Sequence, residues 1–380
     1  MTRTRTRIHI LGIGSIGTLV AHHLQLSSPA QPMSLLVRSP NTFPTSLSST
    51  RGSVKTTSSG YYIESSISSS PSLSDRPIKS LLIATKTTQT SSALEPLIHR
   101  LNENSVITLL QNGMGVYQEL ISNFFQDERQ RPHFILGTTP HAVSPSDQKG
   151  QIYHHSAVGD GFIKWGLVHD SSKNIGETTL EDWLWDYRSK DADISSQHLE
   201  KLEIPNGRDD LVHLKDTMAS LLDMNDLNSQ LLPYEDLNHA ILLKLVVNAA
   251  VNPLTAILGR GQITNGKLKE IPYGINIVDQ IVKESSEILL KYLDLESAVP
   301  MYLEKFGYEN LKKIVYDTIE ATRLNTTSMA VDIREKRKTE IDYINGYLVK
   351  MGEELGFKTD INRMICDMIK FIEEEQKLSN

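Results

Sequence analysis

Ile8-His9-Ile10-Leu11-Gly12-Ile13-Gly14-Ser15-Ile16-Gly17 is the stretch whose reading decides the fold. Residues 8–13 form a short apolar run that reads as a strand, and Gly14–Leu26 is small and apolar with helical periodicity. The glycines between them match G-x-G-x-x-G. The pattern alone is weak, but following a strand and opening a helix it acquires a mechanism. Gly12 permits a tight turn, Gly14 lets the backbone approach a pyrophosphate, and Gly17 lets the helix pack on the sheet. The helix N-terminus then offers free N–H groups and a positive dipole end to the phosphates. The competing reading is a glycine-rich structural turn, and the strand-then-helix context argues against it.

Working outward, a second strand is expected near Ser34–Val37. Residues 39–76 are dominated by Ser and Thr and read as a long polar excursion with one hairpin over Val54–Ile63. Strands return at Leu81–Ala84, Val106–Leu110 and Phe134–Gly137. Helices are expected near Gln89–Leu101 and Val116–Phe125. Strands alternating with helices indicate a parallel sheet. Residues 150–166 look β-rich. Residues 166–210 read as a hydrophilic surface insertion carrying Trp183 and Trp185, and from about Leu211 the pattern is helical. The fold class is therefore α/β: an N-terminal Rossmann-type domain over residues 1–230, with polar insertions near 40–76 and 166–210, and an all-α domain over 231–380.

The end of the second strand bears on cofactor choice. A chain selecting NAD usually carries Asp or Glu there for the ribose 2′-hydroxyl; this one reads Leu36-Val37-Arg38-Ser39. An arginine suits the 2′-phosphate of NADP. Lys86, in Ala84-Thr85-Lys86, is a second candidate cation at that rim. A solvated surface charge is the alternative reading for both.

Composition narrows the class. The 380 residues are 39% hydrophobic and 22% charged, with a net charge of −7, which argues against a dedicated nucleic-acid binder. No uninterrupted apolar run approaches the roughly 18–20 residues of a membrane span. Cys366 is the single cysteine, so no intrachain disulfide and no cysteine metal site can form. The Arg/Thr-rich N-terminus reads as a solvated tail rather than a mitochondrial leader, because the first strand follows at Ile8. A cytoplasmic location is the expectation. His141, His154 and His155 show no ligand-spaced pair and read as structural, and Tyr61 and Tyr62 as packing residues.

In Ile241–Asn252 nearly every residue is apolar except Lys244, Asn248 and Asn252. Their i, i+4, i+8 spacing places them on one helix face. A buried ammonium is costly unless paired, so the stripe faces a polar cleft or a ligand. Alternatively, Lys244 snorkels to solvent and Asn252 ends the helix before Pro253. Further on, Thr339 and Asp342 resemble a capping box, with Glu340 in the first helical turn, and Ser328 reads as a cap or a site residue.

Five motifs occur in order: GIGSIG at 12–17, TK at 85–86, QNGMG at 111–115, KLVVNAAVNPLTAIL at 244–258 and SMAVDIREKRKTEIDYINGYL at 328–348. Together they resemble the ketopantoate reductase (2-dehydropantoate 2-reductase) family, from Gly12 to about Gly356, with weak stretches at 40–76 and 166–210. The resemblance implies NADPH-dependent reduction of ketopantoate to pantoate, toward pantothenate and coenzyme A. It implies Lys244 as the general acid, with Glu340 organising the site. It also implies Asn112 beside nicotinamide and substrate, and Asn248, Asn252, Asn325 and Ser328 as substrate partners. Gly12, Ile13, Gly14, Ser15, Ile16, Gly17, Arg38, Lys86, Asn112 and Glu340 would contact NADP(H). The implied partner is a small molecule, with no nucleic acid, membrane or metal; a homodimer stays open. One departure is the longer path Leu258–Gly266, which leaves open whether Gln262 or Asn265 takes the substrate role of the family's Asn-Gly pair. Two alternatives stand beside this reading: a reductase of another 2-oxo acid, and a non-catalytic NADP sensor on the same fold.

Overall fold

The computed structural model describes residues 5–67, 76–170, 194–204, 206–297 and 300–378. The chain forms two compact units: Met1–Gln111 with Tyr117–Asn238, and Asn112–Val116 with His239–Asn380.

The first unit is organised by strands β1 (Ile8–Leu11), β2 (Met33–Val37), β3 (Ser46–Arg51), β4 (Val54–Ser59), β5 (Tyr62–Ser65), β6 (Ser80–Ile83), β7 (Val106–Leu110), β8 (His133–Thr138), β9 (Val143–Pro145), β10 (Gln151–His154), β11 (Ile163–Leu167) and β12 (Ser229–Leu231). Among the described residues, eight of them make one sheet in the order β12-β11-β8-β7-β6-β1-β2-β5. The run from β5 to β8 is parallel; only β11 pairs antiparallel, with β8. Strands β1, β2, β6 and β7 are buried at every residue, as a sheet covered on both faces requires. Strand order runs outward from β1 in both directions, and such a switch point is where open α/β sheets bind ligands. Helix α1 (Ser15–Ser27) follows β1 directly, and α2 (Thr90–Leu94), α3 (Val116–Phe124), α4 (Ser196–Glu200) and α5 (Asp209–Leu222) follow along the chain.

The polar excursion after β2 is more structured than its composition suggests. The expected hairpin over Val54–Ile63 lies earlier: β3 and β4 pair antiparallel around Gly52, whose φ of +60° fits a two-residue turn. Tyr62–Ser65 instead joins the main sheet parallel to β2. Strand β3 also pairs with β10, about a hundred residues away, giving a second sheet β4-β3-β10-β9. The Ser/Thr-rich strands have little apolar alternation to announce them; Leu47 is the buried hydrophobic of β3.

The reading of 166–210 as a surface insertion is corrected at both ends. Gly166 and Leu167 belong to buried β11, while Ile194 and Leu199 are buried beside α5. Asp209 and Asp210 begin α5, where negative charge is favoured by the helix dipole. Trp183 and Trp185 lie outside the described residues.

The second unit is helical. Its elements are α6 (Tyr234–Ile257), whose first turn belongs to the first unit, then α7 (Lys267–Glu270), α8 (Pro272–Ser297), α9 (Pro300–Phe306), α10 (Tyr308–Ala321), α11 (Ser328–Arg334), α12 (Asn345–Glu354) and α13 (Asp360–Leu378). Helical structure does not run unbroken from Leu211, because β12 interrupts it. Helix α6 is long and apolar enough to cross a membrane, but 61% of its most apolar window is buried in the protein.

Nor does Asn252 end that helix: α6 runs through Pro253. Proline cannot donate to the carbonyl four residues back, so the Ala249 carbonyl loses its usual partner. Asn345 Nδ2 donates to it at 3.0 Å and also to Asn362 Oδ1 at 3.0 Å. Asn362 in turn donates to Glu284 through its backbone and side chain, at 2.8 and 2.7 Å. A buried polar chain thus ties α6, α8, α12 and α13 together where the proline would otherwise leave an orphaned carbonyl.

Candidate active site

In the first unit the glycine motif forms one end of a cavity of about 840 Å³. The three glycines are needed for three different reasons. Gly12 has a φ of +92°, and a Cβ there would lie 2.4 Å from the Thr85 nitrogen. At Gly17 a Cβ would lie 2.0 Å from the Gly12 carbonyl oxygen, so α1 could not pack as it does. At Gly14 a Cβ would meet nothing within 4 Å: the space is open, as it must be for a ligand to approach the backbone. Helix α1 begins beside this opening with no acidic residue in its first turn, leaving its positive end uncompensated for an anion. These features fit a dinucleotide.

Gly12, Ile13, Gly14 and Ser15 line the cavity with Arg38, Ser39, Thr85 and Gln89. Ile16 and Gly17 lie just beyond it in α1. Lys86 is not among the lining residues, although its neighbour Thr85 is. Gln111 Nε2 donates to the Thr85 carbonyl at 2.8 Å, bracing that wall from the end of β7. The cavity also takes in Phe43 and the β9–β10 turn, Pro145–Ile152, which no local motif announces. Their position depends on the β3–β10 pairing between distant segments.

The second unit gathers the other motifs. Lys244 Nζ donates to Asn112 Oδ1 at 2.9 Å, joining residues 132 positions apart. Asn112 is held there by its neighbours. Met114 N–H donates to the Tyr343 carbonyl at 2.8 Å, and a Cβ on Gly113 would lie 2.4 Å from that same oxygen. The first glycine of QNGMG, Gly113, is therefore required for the segment to seat against Tyr343. Burial pushes the Lys244 ammonium down to about 8, with Glu340 opposing the drop.

Glu340 is buried at the start of a short turn, Ile341–Tyr343. The capping box expected of Thr339 and Asp342 is absent, because Asp342 pairs with Lys370 at 2.6 Å. Instead Thr339 Oγ1 accepts from Ile341 N–H at 3.3 Å, while its own N–H donates to Glu373 at 2.7 Å. Ser328 is not the cap of α11 either. Thr327 caps it, accepting from Ala330 N–H at 3.1 Å, and Ser328 is exposed at the first helical position.

Asn248 is partly buried and Asn252 buried on α6. Thr327 Oγ1 shares a 2.7 Å hydrogen bond with Thr255 and donates to the Asn252 carbonyl at 3.4 Å, bringing the start of α11 to the far end of the stripe. Asn325 has an exposed side chain, and its carbonyl accepts from Asn265 N–H at 3.0 Å. The Asn265 side chain is buried and donates to Thr322 Oγ1 at 2.9 Å, whereas Gln262 is exposed. Thr327 was invisible to sequence reasoning because its neighbour Ser328 offers an equally good capping side chain.

Chemically, this unit presents an ammonium tuned toward neutrality, a carboxylate acting on it, and amide and hydroxyl groups along one helix face. Such a set can donate a proton to an oxygen that gains negative charge.

The chain resembles known proteins over nearly its whole length. The models "Ketopantoate reductase PanE/ApbA" and "Ketopantoate reductase PanE/ApbA C terminal" match residues 8–169 and 236–373. It is 27% identical to a probable 2-dehydropantoate 2-reductase of Schizosaccharomyces pombe, covering 96% of this chain and 95% of that one. It is 28% identical to the 2-dehydropantoate 2-reductase of Saccharomyces cerevisiae, covering 96% and 93%. A solved D-mandelate dehydrogenase with NADH and anilino(oxo)acetate shares the fold, with a TM-score of 0.67 at 16% identity over 97% of this chain and 99% of that one. With both halves matched in order by the same family, the chain belongs to the ketopantoate reductase family of oxidoreductases.

Proposed function

We propose that the chain reduces ketopantoate to pantoate with NADPH, a step toward pantothenate and coenzyme A. The observation that carries this reading is the contact of Lys244 with Asn112, in a setting that lowers the lysine's proton affinity to about 8. Family membership supplies the reaction class, and the relatives' names supply the substrate.

A nicotinamide held by the first unit would supply the hydride that the carbonyl carbon of the substrate takes up. The protein must then handle the charge that develops on the carbonyl oxygen. Lys244 stabilises it as an ammonium and donates the proton that completes the hydroxyl. With a proton affinity near 8 it is still mostly charged at neutral pH, yet releases its proton more readily than an ordinary lysine. Glu340 keeps the ammonium from losing its proton too early. Asn112 orients it by accepting its hydrogen bond. Asn248, Asn252, Asn325 and Ser328 supply amide and hydroxyl partners for a hydroxylated 2-oxo acid without adding a carboxylate that would repel it.

The first unit binds the dinucleotide through Gly12–Gly17 and the α1 terminus. Arg38 takes the 2′-phosphate, which makes NADPH the preferred form. The test is spectrophotometric: NADPH oxidation by the purified chain with ketopantoate, beside a panel of other 2-oxo acids and with NADH in place of NADPH. Turnover fastest with ketopantoate and NADPH is expected. Preference for another 2-oxo acid would reassign the substrate, and NADPH binding without turnover on any of them would make the chain a sensor.

A further inference from the structure

We propose that Lys149, in the turn between β9 and β10, is a second cation for the 2′-phosphate of NADPH and helps the chain choose it over NADH. The proposal rests on the NADPH reading above and assigns part of that choice to a sheet outside the Rossmann core.

The cavity that begins at the glycine motif has two cations among its lining residues, Arg38 and Lys149. Its one lining carboxylate, Asp147, sits in the same turn as Lys149. Among the described residues neither Arg38 nor Lys149 makes an ion pair or hydrogen bond through its side chain. Other basic side chains of this unit are engaged: Arg100 with Glu64, Arg131 with Asp170, Arg208 with Asp210, and Arg51 with the Ser156 carbonyl. Two uncommitted cations on the wall of one cavity are what a phosphate monoester requires, since it carries close to two negative charges near neutral pH.

The turn is built to hold its position. Ser146 N–H donates to the Gln151 carbonyl at 3.0 Å, and Gln151 N–H donates to the Gln148 carbonyl at 3.2 Å. Gln148 N–H donates to Ser146 Oγ at 3.1 Å. Ser48 N–H, on β3, donates to the Gly150 carbonyl at 2.9 Å. Gly150 itself has a φ of +75°, and a Cβ there would lie 2.8 Å from Pro44 Cγ. Pro44 and Phe43 follow closely on Arg38 along the chain, and Phe43 lines the same cavity. The turn carrying Lys149 is therefore pinned to the segment that leaves the second strand. Asp147 lines the same cavity, so without Lys149 Arg38 alone would offset its charge beside a bound phosphate.

Calorimetric titration of the full-length chain with NADPH, NADH, adenosine 2′,5′-bisphosphate and adenosine 5′-monophosphate tests this. Lys149→Ala is expected to weaken NADPH and the bisphosphate roughly tenfold, as for loss of one partly screened charged contact, and to leave NADH and the monophosphate unchanged. Lys149→Arg is expected to retain most of the affinity. The proposal is overturned if Lys149→Ala weakens none of the four, or weakens NADH as much as NADPH. Arg38→Ala separates the two levels. If the wild-type chain binds NADH as tightly as NADPH, the NADPH reading and this proposal fall together. If the wild type prefers NADPH and Arg38→Ala removes the preference while Lys149→Ala does not, this proposal alone falls.

Discussion

In the first unit the cavity proposed for the dinucleotide opens on backbone, at three glycines within six residues; in the second, the groups proposed to carry the reaction are side chains from positions 112, 244 and 340. The first arrangement is local. A strand, a tight turn and a helix N-terminus follow one another in the chain, and a dinucleotide's phosphates would meet backbone N–H groups, which do not depend on side-chain identity. The second exists only once α6, the 112–116 segment and the turn at 340–343 have packed together. A backbone site is sensitive to added atoms, whereas a side-chain site is sensitive to removed ones. Substitutions can test that contrast directly.

The largest effect should come from removing the ammonium in the second unit. Lys244→Ala is expected to lower kcat by about 10²–10⁴-fold, the usual contribution of a general acid. NADPH affinity should change much less, because the lost interaction acts mainly in the transition state. In the wild type, kcat for reduction should fall as pH rises through about 8, where Lys244 loses the proton it is proposed to donate. Steady-state kinetics across pH, with circular dichroism on the variant, check both statements. A folded variant with near wild-type kcat would assign the proton to another residue.

Next comes the side chain expected to contribute most to cofactor choice in the first unit. Arg38→Ala should weaken NADPH by roughly 10–150-fold while sparing NADH, since a charged hydrogen bond contributes about 1.5–3 kcal/mol. Equal losses for the two dinucleotides would mean that Arg38 supports the fold of the rim and does not read the phosphate.

The glycines give a smaller but more diagnostic contrast. Gly12→Ala should lower the melting temperature as well as dinucleotide affinity, because its φ is +92° and the new Cβ would meet the Thr85 backbone. Gly14→Ala should leave the melting temperature unchanged, since its Cβ meets nothing in the protein within 4 Å. It should still weaken dinucleotide binding, by roughly tenfold or about 1.4 kcal/mol. If both variants melt alike, the cavity's shape is not set by backbone in the way described.

The gentlest effect concerns acid stability. His22, His23 and His154 cluster where α1 meets the second sheet, with His22 bonded to Ser58 at 2.6 Å and Thr56 at 2.7 Å, and His154 to His141 at 3.1 Å. Burial holds His22 and His154 at about 4 and His23 at about 3; the Arg51 charge adds to this for His23 and His154. Asp226, 4.0 Å from His23, is the nearby carboxylate. An unfolded histidine titrates near 6.5, so below that pH the unfolded chain binds more protons than the folded one. The contribution of these histidines should be constant above about 6.5 and decline as pH falls toward 4. Denaturant melts across that range check it, and a flat profile there would mean these imidazoles are already charged in the folded state.

Much was legible in the sequence because the chemistry was written locally. The glycine motif needs only its flanking strand and helix. Arg38 reaches the cavity wall simply by following β2, and the Lys244–Asn248–Asn252 stripe needs only helical spacing. The polar stretches were misread for the opposite reason. Strands β3 and β4 carry Ser and Thr where a buried strand would carry Val or Ile, and β10, the second partner of β3, is about a hundred residues away. Composition cannot report a pairing of that kind. At Pro253 the sequence suggested a helix end, and the tertiary structure overrode it by sending Asn345 to the Ala249 carbonyl.

The amino-acid sequence by itself determined the two-part α/β and helical plan, the dinucleotide motif and the residue types available for reduction, because those follow from periodicity and from what each side chain can do. Only the tertiary structure decided that Asn112 meets Lys244, that Thr327 rather than Ser328 caps α11, and that the β9–β10 turn joins the cavity at the glycine motif. Each depends on contacts between distant segments, and such contacts are chosen by packing and hydrogen-bond satisfaction across the whole unit, not by the neighbours along the chain.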